Sequence, residues 1–279
     1  MYRHILAPVD FSPIAAIGLR HAARLAQCGP ARLTALFADP FTPPLYFTES
    51  RVQALAGEFR EAMRDAEERL RAFVREHAPG TPADAVVMEK LPVDGILAAI
   101  PMLGIDLVAM GTHGRSGFNR LMLGSVAEKV LRASPVPVLT VGQRHPEPEI
   151  RRILVPANDS DAARQALAEA AEIAVCTGAS LTLLYVRDEQ AGEAAPDLCA
   201  WVPPGARGRC EIRQITVEGD PAERIVENAA ALEADLVVLG TRRRPFADAT
   251  VLGSTTARVV RHAPCAVLTV IHRTAAVAA

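Results

Sequence analysis

The feature that most constrains this chain is that it says the same thing twice. RHILAPVDFS from Arg3 returns as RRILVPANDS from Arg151, with Ile5 matching Ile153 and Pro8 matching Pro156 at an offset of 148. Cys28 and Cys176 fall at the same offset, near the ends of two Ala-rich segments. Further along, GIDLVAMGT is echoed by EADLVVLGT, so that Asp106 matches Asp235 and Gly111 matches Gly240 at an offset of 129. That second register also maps Pro92 onto Pro221, Ile96 onto Ile225, Gly124-Ser125 onto Gly253-Ser254, and SPVPVLTV onto APCAVLTV. The offset falls by 19, so the second copy is shorter in its middle. Two long copies imply tandem domains rather than a solenoid. The polar, Pro-containing stretch GQRHPEPE from Gly142 is the natural boundary, giving domains at 1–145 and 150–274.

Within each copy, short Val/Leu/Ile runs alternate with helical patterns. In the first, HILAPV, RLTALFA, ADAVVME, DLVAMG and VPVLTV read as strands. The intervening helices begin at Ser12-Pro13, where Ser12 caps and Pro13 takes the first turn, then near Thr48, Val93 and Ser125. The segment from Thr48 to His77 is a long amphipathic helix with dense charge on one face. The second copy repeats the order with helices from Asp161, Pro221 and Ser254, but the Gly/Pro-rich RDEQAGEAAPDLCAWVPPGARGRC replaces the long helix. Continuous apolar strands separated by helices predict an α/β fold with a parallel sheet covered on both faces. Right-handed crossovers make each sheet open and doubly wound.

Other classes are excluded more simply. A net charge of −2 gives no electrostatic case for nucleic acid or an anionic membrane. No apolar run reaches about 18 residues, so no transmembrane span is expected. The N-terminus lacks the basic and apolar regions of a signal peptide. The five cysteines form no Cys-x-x-Cys pair or Cys/His cluster, which argues against a zinc site or a disulfide framework and for a reducing cytoplasm.

Open α/β sheets bind ligands beyond the carboxyl ends of their strands. In the first copy this places Pro8, Val9 and Asp10, Phe37, and Met110 and Gly111 together. The stretch GTHGRSGFNRLMLGS from Gly111 follows directly. Gly111 and Gly114 allow backbone dihedrals closed to other residues and let main-chain N–H groups approach an anion closely. Gly124-Ser125 opens a helix whose free N–H groups favour a phosphate. A Gly-Ser start is also an ordinary helix cap, and short glycine motifs alone do not decide between the two. The loop is not a Walker A sequence and carries no Gly-x-Gly-x-x-Gly fingerprint.

The joint pattern resembles the universal stress proteins. Gly111-x-x-Gly114, nine residues, then Gly124-Ser125 looks like their ATP-binding signature, flanked by HILAPVDFS, DLVAMGTHGRSG and GSVAEKVLRASPVPVLTV. The resemblance spans essentially the whole chain. It implies a Rossmann-like five-stranded parallel sheet per domain in the order 3-2-1-4-5, of the adenine-nucleotide-binding type. It also implies a stress-induced cytoplasmic protein that binds ATP, with Mg²⁺ plausible on the phosphates. Carried over, Pro8, Val9 and Asp10 would line the adenosine pocket and the main chain near Phe37 would meet adenine. Met110 and Gly111 would flank the ribose. His113, Gly114, Gly124, Ser125 and Val126 would meet the phosphates, with Arg115 an extra charge. For His113 and Arg115 the alternative is plain solvent exposure, and for Asp10 a helix cap.

The second copy keeps Gly240 and Gly253-Ser254 but has Arg243 where the first has Gly114, and Asn158 for Asp10. It is expected to bind ATP weakly or not at all, while Arg242-Arg243-Arg244 is either an anion site or a solvated loop. In the family the final strand commonly pairs domains, so VPVLTV and AVLTVI could form an internal pseudo-dimer, and two chains could pair again. A related nucleotide-fold enzyme, at most a slow ATPase, and a partner-binding module without nucleotide are the competing functions. No catalytic residue can be assigned.

Overall fold

A computed structural model describes residues 1–40, 48–114, 123–143, 147–187, 195–242 and 253–272. The first half runs β1 (His4–Pro8), α1 (Pro13–Ala26), β2 (Arg32–Ala38), α2 (Glu49–His77), β3 (Ala83–Met88), α3 (Pro92–Leu103), β4 (Leu107–Gly111), α4 (Ser125–Ala133) and β5 (Val138–Val141). The second runs β6 (Arg152–Pro156), α5 (Asp161–Thr177), β7 (Ser180–Arg187), a 3-10 turn at Leu198–Trp201, β8 (Ile212–Glu218), α6 (Pro221–Ala231), β9 (Leu236–Arg242), α7 (Ser254–His262) and β10 (Ala266–His272). Helix starts follow the caps. The side chains of Ser12, Ser160 and Asp220 accept from the amides of Ala15, Ala163 and Glu223 at 3.1, 3.2 and 3.0 Å.

The strands form one ten-stranded sheet in the order β3-β2-β1-β4-β5-β10-β9-β6-β7-β8, which is 3-2-1-4-5 written twice about a centre. Every pairing within a half is parallel. The central one, β5 with β10, is antiparallel and sets Leu139 opposite Leu268. These two residues are equivalent in the repeat, so a local two-fold passes between them. The core has two layers. Leu19, Leu25, Leu70, Leu167 and Ile173 belong to the side covered by α1, α2 and α5, and Ile96, Val130, Ile225 and Val259 to the side covered by α3, α4, α6 and α7.

One repeated residue has a structural role that its spacing did not disclose. Asp106 stands just before β4, and its carboxylate accepts from the amides of Arg3 and His4 at 2.8 and 2.9 Å. Asp235 does the same before β9, accepting from Arg151 and Arg152 at 2.9 and 2.8 Å. Each clamps the amino end of a half's first strand, where the amides have no strand partner to bond.

The expectation against a disulfide is corrected. Cys28 and Cys176 are bonded, with Cα atoms 5.5 Å apart. The cause is the two-fold. Cys28 follows α1 and Cys176 lies in the last turn of α5, and equivalent residues close to a symmetry axis meet each other. The equal offset of the two cysteines was the signal, and it becomes readable once the halves are known to pair.

Where α2 covers the first half, the second uses the segment around the 3-10 turn. Leu198, Val202 and Ala206 are buried there. The Arg207 guanidinium donates to the carbonyls of Ala200 and Val202 at 2.7 and 3.0 Å, and Arg164 lies 3.9 Å over the Trp201 ring. A few apolar anchors thus replace a 29-residue helix.

The seam between halves also holds a partly buried acid. The Tyr2 hydroxyl donates to Glu169 at 2.5 Å. Burial pushes the Glu169 carboxyl above its ordinary 4.5, although the Tyr2 bond favours the ionised form. The folded chain therefore holds this proton more tightly than the unfolded one. The stability it contributes is present below the unfolded pKa and is lost as pH rises through the folded value. Glu169→Gln is accordingly expected to raise the thermal midpoint at pH 7, with the gain vanishing below about pH 4.5, as melting curves across pH will read.

Candidate functional site

A cavity of about 300 Å³ opens at the carboxyl ends of β1, β2 and β4 and at the start of α4. It brings together Pro8, Val9, Asp10, Phe37, Met110, Gly111, His113, Gly114, Gly124, Ser125 and Val126. Arg115, the twelfth residue expected there, lies outside the described residues. Sequence reasoning did not place Ala15, Leu36, Ala38, Pro92, Ile96, Thr112 and Ala127 in the lining. Pro92 and Ile96 had drawn notice only as matches within the repeat. Thr112 is the one polar side chain missed, and it sits inside the motif between two residues that were singled out.

The backbone holds the loop ends in place. The Val9 amide donates to Leu36 and the Thr112 amide to Val141, both at 2.8 Å. The Gly124 amide donates back to the Thr112 carbonyl at 2.8 Å, closing the loop where it leaves β4 and where it enters α4. The Asp10 carboxylate accepts from the Ser12 amide at 3.0 Å, so Ser12 caps α1 and Asp10 shapes the turn before it. Between them Phe11 has φ 61°, an uncommon conformation for an aromatic residue. Its ring packs 5.0 Å from Phe37 and 5.6 Å from Phe73 with Arg69 over its face at 4.4 Å, which compensates the strain and ties this turn to α2.

The glycines are needed for space rather than for dihedral freedom. Gly111 and Gly114 do not have positive φ, and neither does Gly124. A Cβ at Gly111 would stand 2.6 Å from Ile14 Cγ2, because α1 presses directly on β4. A Cβ at Gly240 would stand 2.2 Å from the Ala162 carbonyl oxygen, the same close approach of α5 to β9. The glycine that both copies keep at this position is therefore required by helix-on-strand packing. At Gly124 the obstacle is the Thr112 carbonyl at 2.9 Å, and at Gly114 it is the Asp10 carboxylate at 2.7 Å. Of these motif glycines, Gly114 is the one whose Cβ would meet a polar side chain of the cavity wall.

One end of the cavity is apolar, built from Val9, Leu36, Ile96 and Met110. The other carries donors. Gly124 caps α4 without a side chain, and no side-chain cap bond covers the amides of the first turn among the described residues. The one acid in that turn, Glu128, is paired with Arg132 at 2.6 Å. His113 Nδ1 lies 3.0 Å from the Thr112 hydroxyl, while its Nε2 is buried with no partner among the described residues. A buried ring nitrogen left unbonded is unfavourable unless something else completes it. In the second half, Arg243, Arg244 and Pro245 lie outside the described residues, and Asn158 accepts from the Ser160 hydroxyl at 2.7 Å.

Fold and cavity together define a tandem, doubly wound α/β protein with a ligand-sized cleft at the carboxyl edge of its first half. The profile of the Universal stress protein family matches residues 1–142 and 149–270, and the chain belongs to that family. A universal stress protein of Methanocaldococcus jannaschii is 27% identical over 142 residues, covering 50% of this chain and 82% of the relative. The crystal structure of a universal stress protein from Archaeoglobus fulgidus covers 96% of this chain and 98% of its own, with a TM-score of 0.73 at 24% identity, which shows the shared tandem fold. A solved universal stress protein in complex with cAMP covers 45% of this chain and 99% of its own, at 27% identity and a TM-score of 0.37. No helix among the described residues is long and apolar enough to cross a membrane.

The packing account of Gly111 and Gly240 is open to direct test. Gly240→Ala is expected to cost about 1–3 kcal/mol of stability by forcing α5 off β9. Gly205→Ala, where no atom lies within 4 Å of the added carbon, is expected to stay within about 0.5 kcal/mol of the parent. Denaturant midpoints of the two variants give the comparison.

Proposed function

We propose that the first half binds ATP and that the second half is mainly structural or regulatory. The observation that carries this is one cavity with an apolar end and, at the other, a helix N-terminus and a His113 Nε2 that have no side-chain partner among the described residues. The apolar end suits a purine ring, whose edge can bond to the main chain around Val9 and Phe37. Asp10 and Met110 with Gly111 stand where the ribose would lie. The amides of Ser125 and Val126 and the His113 ring suit the phosphates, because helix dipole and free N–H groups both favour anions. Arg115 would add charge from the loop. Mg²⁺ would come with the ATP phosphates, whose oxygens are its usual ligands. β5 and β10 are occupied with each other, so a homodimer would use some other surface. We assign the protein to the cytoplasm on the family's habit.

The test begins with the ligand itself. Denaturing the purified chain and analysing the released small molecules by mass spectrometry is expected to give an adenine nucleotide. Recovery of cAMP in place of ATP would move the reading to a cyclic nucleotide, and no affinity for any adenine nucleotide would leave a partner-binding module. AMP or ADP accumulating from added ATP would favour a slow hydrolase. Two variants address the assigned groups. His113→Ala is expected to weaken ATP about tenfold, about 1.4 kcal/mol, and to leave adenosine nearly unchanged. Gly114→Arg displaces the Asp10 side chain at the exposed mouth of the cavity. It is expected to abolish ATP binding while the circular dichroism and melting curve stay close to those of the parent.

A further inference from the structure

The pairing of Cys28 with Cys176 does something the nucleotide site does not require. These residues belong to different halves and meet at the local two-fold, on the side of the sheet that carries α1 and α5. Apart from them, the central strand pairing between the halves covers three residues of each strand, Val138 to Thr140 against Val267 to Thr269. A covalent bond at the two-fold fastens the helices flanking that short seam. Both cysteines are partly exposed, and a Cβ at Gly29 beside Cys28 would meet no other atom within 4 Å, so the bond lies near the surface of the chain. The other three cysteines are built differently. Burial raises the Cys199 and Cys210 thiols, and burial with the nearby Asp235 charge pushes Cys265 up to about 12. A raised thiol is less often thiolate, and of the five cysteines only Cys28 and Cys176 are bonded to each other.

We infer that Cys28 and Cys176 form a redox-operated latch between the two halves, closed by a small-molecule disulfide and opened by a thiol. In closing, the thiolate of one cysteine attacks the small disulfide, forming a mixed disulfide and releasing one small thiol. The second cysteine's thiolate attacks the protein sulfur of that mixed bond, forming the Cys28–Cys176 bond and releasing the other small thiol. The protein dithiol loses two electrons and two protons, and the small disulfide gains them as two thiols. Opening is the same exchange in reverse. In a reducing compartment a bond of this kind is a sensor rather than a permanent brace, because surrounding thiols set its state.

The test uses the full chain and glutathione disulfide as the probe. Reduced protein is incubated natively with the disulfide, then denatured and alkylated without reductant. Three alkylated cysteines per chain are expected, against five before treatment, with a peptide pair joining Cys28 to Cys176 in the non-reduced digest. Five alkylated cysteines, or separate glutathione adducts on Cys28 and Cys176, would overturn the latch. A full chain carrying a protease site between residues 142 and 149 gives a second reading. After cleavage, the oxidised form is expected to run at full length on a non-reducing gel and the reduced form as two halves. The oxidised form should also melt several degrees higher than the reduced form. Cys28→Ser should remove both differences and Cys199→Ser neither. Equal midpoints for the oxidised and reduced parent, or persistence of the joined species in Cys28→Ser, would contradict the proposal.

Discussion

Everything in this molecule is arranged about the antiparallel contact of β5 with β10. Each half brings its last strand to an edge that its own topology leaves unpaired. A row of free amide and carbonyl groups on an apolar strand is unstable in isolation and prone to association. Pairing the two edges satisfies the middle of both rows, Val138 to Thr140 against Val267 to Thr269, and joins the described strands into a single ten-stranded sheet. The register that puts Leu139 across from Leu268 also fixes the two-fold, and with it the meeting of Cys28 and Cys176. Tyr2 reaches Glu169 of α5 across the same seam, so the N-terminal residues of the first half are committed to the second as well.

The chain carries two copies of one frame, and the copies differ in what surrounds it. What they share is what the frame requires: a carboxylate clamping the first strand, hydroxyl caps at the first helix, and a glycine where that helix crowds the fourth strand. The copies diverge at positions the frame leaves free. Gly114 becomes Arg243, and Asp10 becomes Asn158. That division explains why Gly111 and Gly240 carry little information about a ligand while Gly114, against the Asp10 carboxylate, carries more.

Much of the fold was legible because its signals are local. Ser12-Pro13, Ser160-Asp161 and Asp220-Pro221 mark helix starts by cap chemistry alone, and the continuous apolar strands mark a sheet covered on both faces. The first-half cavity was legible at its strand ends, since the topology dictates where those ends converge. The missing information was relational. Nothing in the residue types says that α1 lies close enough to β4 to exclude a Cβ at Gly111, so the sequence suggests only dihedral freedom and close approach to an anion as reasons for that glycine. The Cys28–Cys176 bond depends on a two-fold that exists only after the halves pair. Ala15, Leu36 and Ala127 line the cavity as small or apolar members of elements whose main signal is core packing, and no local pattern separates those two duties.

The central claim is that one duplicated frame holds one nucleotide site. Calorimetric titration of the full-length chain with ATP in the presence of Mg²⁺ measures this as a stoichiometry. The account predicts one equivalent per chain, with the heat lost in Gly114→Arg. Two equivalents of similar affinity per chain, or one equivalent that survives in Gly114→Arg, would contradict it.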